Sequence, residues 1–193
     1  SAPSACAWRK NWRAPEATAE AFDEEGFFCT GDAVLWVDVA DKHKGLRFDG
    51  RIAEDFKLAT GTFVSVGPLR GRVIAGGAPY IQDVDLTGLN RHEVGALVFP
   101  TQAVRSLVDL PPDAPFETVL KQHAVLQKFQ SLVTDLSLTA TGSANRVTRL
   151  MLMAEPPSID LGEVTDKGSI NQRAVLKHRD DLVQALYDEP PGH

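Results

Sequence analysis

Four short stretches of this 193-residue chain place chemically useful side chains at tight turns. In Thr30-Gly31-Asp32 a carboxylate follows a glycine; its two acceptor oxygens suit a vicinal diol, or the backbone of its own turn. Arg51 offers several donors in one rigid planar array, which suits a nucleotide better than a lysine would. Gly61 and Thr62 end the run Lys57-Leu58-Ala59-Thr60-Gly61-Thr62. A glycine there permits positive φ and close approach of backbone to a ligand, and equally serves a plain β-turn. Lys167, in Thr165-Asp166-Lys167-Gly168-Ser169, is a compact cation beside a small residue; a loop lysine is ordinarily only solvated.

Other chemistries are poorly served. The five histidines (His43, His92, His123, His178 and His193) lack ligand spacing and are expected to be exposed. No Ser-His-Asp order and no metal constellation is evident, so no metal ligands are assigned. Cys6 and Cys29 are too few for a disulfide framework and read as reduced thiols of a cytoplasmic protein. The formal net charge of -6 argues against a nucleic-acid surface, although a local basic pocket for a phosphorylated ligand is compatible with it. No apolar run is long enough to span a membrane, and the N-terminal residues do not read as a signal peptide.

These turns must be held by surrounding elements. Residues 11–27 read as a short helix with Pro15 near its start. Residues 27–41 alternate apolar and polar positions around the Thr-Gly-Asp turn, and a polar loop returns into a second strand ending near Arg51. Beyond it, a short strand pair turning at Gly61 leads into a helix. Residues 80–100 read as two strands joined at Gly88–Arg91. A helix is expected over 101–109, closed by Pro111-Pro112. Apolar residues at Val119, Leu120, Val125, Leu126, Phe129, Leu132, Val133 and Leu136 predict one helix over 115–136. Residues 149–154 read as a strand and 172–187 as an amphipathic helix. The expected class is α+β: a small mixed β-sheet flanked by helices, preceded by a β-rich remnant. The boundary falls at Gly50–Ala53, giving segments 1–50 and 51–193.

Three segments in this order resemble the C-terminal portion of the adenylate-forming (acyl/aryl-CoA synthetase) superfamily. They are WRAPEATAEAFDEEGFFCTGDAVLW at 12–36, FDGRIAEDFKLATGTFVSVGPLR at 48–70 and GEVTDKGSINQRAVLKHR at 162–179. The pattern T-D-K-G-x-I-N-Q-R-A is similar to that of feruloyl-CoA synthases. The resemblance implies an acid–CoA ligase that uses ATP, CoA and Mg2+ and makes an acyl-adenylate before the thioester. The acid would be aromatic, and its pocket would belong to an N-terminal domain, with segment 1–50 as that domain's end.

By the same resemblance, Asp32 would bind the ribose hydroxyls of ATP and Arg51 the nucleotide. Ala53 and Glu54 would form the hinge about which the C-terminal domain rotates; Ala53 stands where much of the family has Asp or Lys. Gly61 and Thr62 would border the pantetheine tunnel. Ser169 occupies the usual position of the catalytic lysine, and Lys167, two residues earlier, would take that role. Because the likeness begins abruptly near Trp12, the chain is expected to be part of a longer enzyme and inactive alone. The alternatives are a free-standing nucleotide- or partner-binding domain, or the adenylating part of another acyl-CoA synthetase or of an acid reductase.

Overall fold

In the computed structural model, Glu16 and residues 21–188 are described, and they fall into two units, one ending at Ala53 and one starting at Glu54. In the first unit, β1 (Asp32–Trp36) pairs antiparallel with β2 (Leu46–Arg51). Gly31 starts β1 at φ 74, a conformation that favours glycine. Asp41 accepts from the His43 amide and shapes the return loop. Val34, Leu35, Trp36, Leu46 and Phe48 are all exposed, so this ribbon carries apolar side chains that the described residues do not cover.

The helix expected over 11–27 is not continued at its C-terminal end. Residues 11–15 and 17–20 lie outside the described residues, and Glu16 is helical. At 21–28 the chain forms a turn bridged by Phe22 and Phe28. The Asp23 carboxylate accepts from the amides of Glu25 and Phe27, a local alternative that competes with helix.

The second unit is built on a three-stranded mixed sheet. It opens with the two-residue strands β3 (Phe56–Lys57) and β4 (Phe63–Val64), followed by α1 (Val66–Gly77). Ser65, just before α1, makes no side-chain cap; Asp55 accepts from the Val66 amide at 2.8 Å instead. Strand β5 (Ile81–Thr87) runs antiparallel to β6 (Val94–Pro100), and β7 (Val147–Leu152) runs parallel to β6.

All seven residues of β6 are buried, as a central strand covered on both faces requires. Side-chain alternation divides it between two apolar clusters. Val94, Ala96 and Val98 join Val84, Leu86, Val73 and Phe129 on one face. Leu97 and Phe99 join Ile170, Val175, Val183 and Leu186 on the other. The α+β class and the small mixed sheet with flanking helices are therefore as the sequence suggests.

Three helix expectations need correction. Residues 102–107 form a 3-10 helix, started by Thr101 accepting from the Ala103 amide. The single helix expected over 115–136 is two, α2 (Phe116–Leu120) and α3 (His123–Leu138), with Gln122 extended between them. The break shifts the phase of the apolar stripe. Val119, Leu120, Val125, Phe129, Leu132 and Leu136 turn inward, while Leu126 is left 50% exposed. The C-terminal helix is also two, α4 (Gln172–His178) and α5 (Asp180–Asp188), interrupted at Arg179. No helix among the described residues is long and apolar enough to cross a membrane.

Candidate functional site

The ribbon brings Asp32 and Arg51 together as directly opposed partners. Opposed residues share a face, with Cβ atoms roughly 4.5–5.5 Å apart. Both side chains are exposed. The Thr30 hydroxyl accepts from the Asp32 amide, and the Ile52 amide donates to the Gly31 carbonyl at 2.9 Å, closing the ribbon beside them. An acceptor carboxylate and a multi-donor guanidinium thus stand side by side in water, a combination able to engage a polyhydroxylated, anionic ligand.

In the second unit, the two other predicted sites prove to be loops of the same form. In Leu58-Ala59-Thr60-Gly61-Thr62 the Gly61 amide donates to the Leu58 carbonyl, and the Leu58 amide donates to the Thr62 carbonyl, both at 2.9 Å. In Thr165-Asp166-Lys167-Gly168-Ser169 the corresponding bonds, Gly168 to Thr165 and Thr165 to Ser169, are both 2.8 Å. Gly61 and Gly168 take φ of 81 and 78 at the same position of the two loops. A β-turn followed by a left-handed glycine is a recurrent three-residue hairpin connection. Thr60 occupies in the first loop the position that Lys167 occupies in the second, and both residues are exposed.

The two loops are rooted on opposite faces of the sheet. Phe56, Leu58 and Val64, which flank Gly61, belong to the cluster with Val94, Ala96 and Val98. Ile170, bridged to Val164 at the base of the Lys167 loop, belongs to the cluster with Leu97 and Phe99. The first loop is further tied to the β5–β6 turn, where the Ala59 amide donates to the Arg91 carbonyl and the Asn90 amide to the Lys57 carbonyl.

Glu163, which the sequence did not single out, anchors the Lys167 loop. It is 1% exposed, and its carboxylate accepts from Arg179 Nη2 at 2.9 Å and from the Ser158 amide at 2.7 Å. Its backbone carbonyl accepts from the Asn171 amide. The Arg179 hydrogen bond holds this carboxyl below the usual glutamate range. Arg179, at the break between α4 and α5, also donates to the carbonyls of Glu155 and Pro156. The sequence signal was faint: one acidic residue before Val-Thr-Asp and one arginine amid other charges.

Ala53 is exposed and Glu54 half-buried, in a 3-10 turn spanning Ile52–Glu54 where the two units meet in sequence. The Glu54 carbonyl accepts from Gln172 Nε2 at 3.4 Å. His43, His92, His123 and His178 are exposed, and His193 lies outside the described residues. Among the described residues no group of three or more His, Cys, Asp or Glu side chains is arranged to hold a metal ion.

Residues 55–190 match the AMP-binding enzyme C-terminal domain. The chain belongs to that family. Within the adenylate-forming enzymes, it is 34% identical over 178 residues to a carboxylic acid reductase of Segniliparus rugosus, covering 91% of this chain and 14% of that one. It is 25% identical over 185 residues to the chloroplastic long-chain-fatty-acid–acyl-carrier-protein ligase AEE15 of Arabidopsis thaliana, covering 92% of this chain and 22% of the ligase. Among solved structures, the A domain of the Segniliparus rugosus reductase, in complex with AMP and a co-purified carboxylic acid, superposes with a TM-score of 0.64 at 25% identity. That match covers 91% of this chain and 26% of the reductase domain. The A domain of a Mycobacterium chelonae carboxylate reductase has the same fold, with a TM-score of 0.66 at 23% identity, covering 92% and 26%. The chain thus spans between about a seventh and a fifth of the length of these two curated relatives. They are an acid reductase and a fatty-acid ligase rather than feruloyl-CoA synthases, so the comparisons show the C-terminal domain of the adenylate-forming superfamily and do not single out the feruloyl-CoA branch.

Proposed function

We propose that this chain is the C-terminal part of an ATP-dependent ligase that joins an aromatic, feruloyl-type acid to CoA through an acyl-adenylate. In this reading the unit from Glu54 is the mobile domain, Ala53–Glu54 the hinge, and the β1–β2 ribbon the end of a preceding adenylation domain. The exposed apolar side chains of the ribbon support that last assignment, since a two-stranded hairpin is marginal alone and needs a covering layer.

The observation that carries the reading is the pair of matched loops on opposite faces of one sheet. Lys167 offers a cation for the carboxylate and α-phosphate during adenylation, where a preorganised charge offsets charge that develops in the transition state. Gly61 and Thr62 offer a backbone edge free of bulk along which a pantetheine chain could pass. Rotation about a short linker would present one loop and then the other. Asp32 and Arg51 would hold the nucleotide ribose. ATP would bring Mg2+, whose ligands are assigned to the preceding domain. The aromatic acid is proposed from the likeness of the three sequence segments, the last above all.

A second reading is favoured by the 34% identity to the reductase: the same adenylation chemistry feeding a carrier-protein thiol in place of CoA. The test takes the enzyme of which this chain is part and supplies ferulate and ATP with CoA or a phosphopantetheinyl carrier protein. Feruloyl-CoA formation supports the first reading. Acylation of the carrier alone supports the second. Absence of pyrophosphate release with any aryl or fatty acid overturns both.

A further inference from the structure

Asp85 Oδ2 and Gln172 Oε1 are the buried side-chain oxygens that find no hydrogen-bond partner among the described residues. Leaving such a group buried without a partner forfeits its hydration with nothing in return, so something is expected to satisfy it. Asp85 is 1% exposed and Gln172 4%. They lie on elements that pack together, since α4 crosses β5. Asp85 is paired in register with Leu97, whose side chain belongs to the cluster that also contains Val175 of α4. Opposed residues share a face, so the Asp85 carboxyl is on the α4 side of the sheet.

Two acceptor oxygens in this layer lack a donor. The amide nitrogen of Gln172 is engaged with the Glu54 carbonyl at 3.4 Å. A protonated carboxyl supplies one donor and keeps an acceptor, so a single proton satisfies both orphan oxygens. We propose that Asp85 keeps its proton in the folded protein and donates it to Gln172 Oε1, forming a proton-dependent latch. That latch holds the start of α4, just after the Lys167 loop, against Glu54, where the second unit begins.

The surrounding charges agree. Burial pushes the Asp85 carboxyl up to about 7; Arg70 opposes this, and Asp83, Glu54 and Glu163 add to it. Arg70, from α1, is already committed to Asp83 through Nε at 2.8 Å and Nη2 at 2.6 Å. Glu163 is committed to Arg179. On this side of the sheet α4 contributes the buried, uncharged Gln172. Burial outweighs the attraction of Arg70, and Asp85 stays neutral until the solution is near neutral pH.

The inference concerns the folded chain and needs no substrate, so it stands or falls separately from the reaction proposed above. The experiment is a carboxyl-carbon NMR titration of the 193-residue chain, following the Gln172 side-chain amide in the same samples. The expected result is an Asp85 midpoint well above the ordinary aspartate range of about 4, with the Gln172 amide shifting at the same midpoint. Asp85→Asn, which keeps a donor but cannot ionise, should abolish the Gln172 shift. Amide exchange over residues 170–176, taken as the ratio of wild type to Asp85→Asn, should rise about tenfold per pH unit as Asp85 is forced to ionise. An ordinary midpoint overturns the proposal. So does a raised midpoint that the Gln172 amide ignores. Both outcomes are read on the wild-type chain, whether or not the variant folds.

Discussion

The Ser169 hydroxyl lies 2.7 Å from the Thr165 hydroxyl, across the neck of the loop that carries Lys167. By the resemblance of the three segments Ser169 would stand at the usual lysine position, and in the structure its hydroxyl serves as a clasp. The cation stands two residues earlier, at the exposed tip.

If the proposed reading holds, Lys167→Ala is expected to slow adenylation by the proposed ligase by on the order of 10²–10³, or about 3–4 kcal/mol. Thioester formation from supplied acyl-adenylate should change far less. Ser169→Ala should cost no more than the hydroxyl pair, about 1 kcal/mol of loop order. Half-reaction kinetics check both. If Ser169→Ala proved the more damaging change, Lys167 would revert to a solvated loop residue.

Gly61→Trp is expected to impair the thioester step and to spare adenylation. A β-carbon at Gly61 meets open space, but φ of 81 strains any L-residue. Gly61→Ala is thus the control, with a strain cost of about 1–2 kcal/mol. The CoA-dependent rate should fall much further for Trp than for Ala. Equal loss in both variants would mean that backbone strain, and not obstruction, is responsible.

Much of this arrangement was legible in the sequence, and the misses have physical causes. Alternation and turn residues located β1, β2, β5, β6 and both glycine loops, because strand period and positive-φ glycines act locally. The breaks at Gln122 and Arg179 were not legible. Each depends on a partner remote in sequence: the sheet that draws Val119 and Val125 inward together, and the buried Glu163 that Arg179 serves. Asp32 and Arg51 were each picked out singly. Their opposition across the ribbon depends on strand register and on the bulge after Ala33, which no single segment reveals.

Glu163→Gln should destabilise the second unit by about 3–5 kcal/mol, the usual cost of stranding one member of a buried ion pair. A denaturant melt measures this. The Lys167 loop should loosen first, since the Glu163 carboxylate ties its base to Arg179 and to the Ser158 amide. Unchanged amide exchange at 164–170 would show that the loop does not need this anchor.

Stability should be greatest on the acid side of neutrality. Glu163 is held low by Arg179. For Glu93, burial alone would raise the carboxyl, but hydrogen bonds from Thr148 and Arg149 outweigh it and hold it low as well. Both stabilise the fold above the unfolded glutamate value, near 4.3, and lose that contribution as pH falls through their folded values. Asp85 acts oppositely. Its folded value of about 7 exceeds the unfolded one, so its contribution is full below the ordinary aspartate range and lost as pH rises to about 7. Chemical melts from about pH 2 to 9 should show both slopes, and Asp85→Asn should flatten only the one between about pH 4 and about 7.

Gly88→Ala should unfold the support of the Gly61 loop. A β-carbon there would stand 2.8 Å from the Phe56 ring and 3.1 Å from Leu58, at φ of 155. Overpacking of this kind costs about 1–3 kcal/mol. Loss of exchange protection at Ala59 and Asn90, whose amides bond across this junction, would register it.

The pairing of β6 with its two neighbours sets an order of assembly. The antiparallel partner β5 is reached by a short turn, so that half can zip up as soon as both strands exist. The parallel partner β7 arrives only after the 3-10 helix, α2 and α3, and its pairing must close that entire loop. Until Val147–Leu152 is in place, an apolar strand with one open edge waits in the nascent chain, a template for wrong pairing.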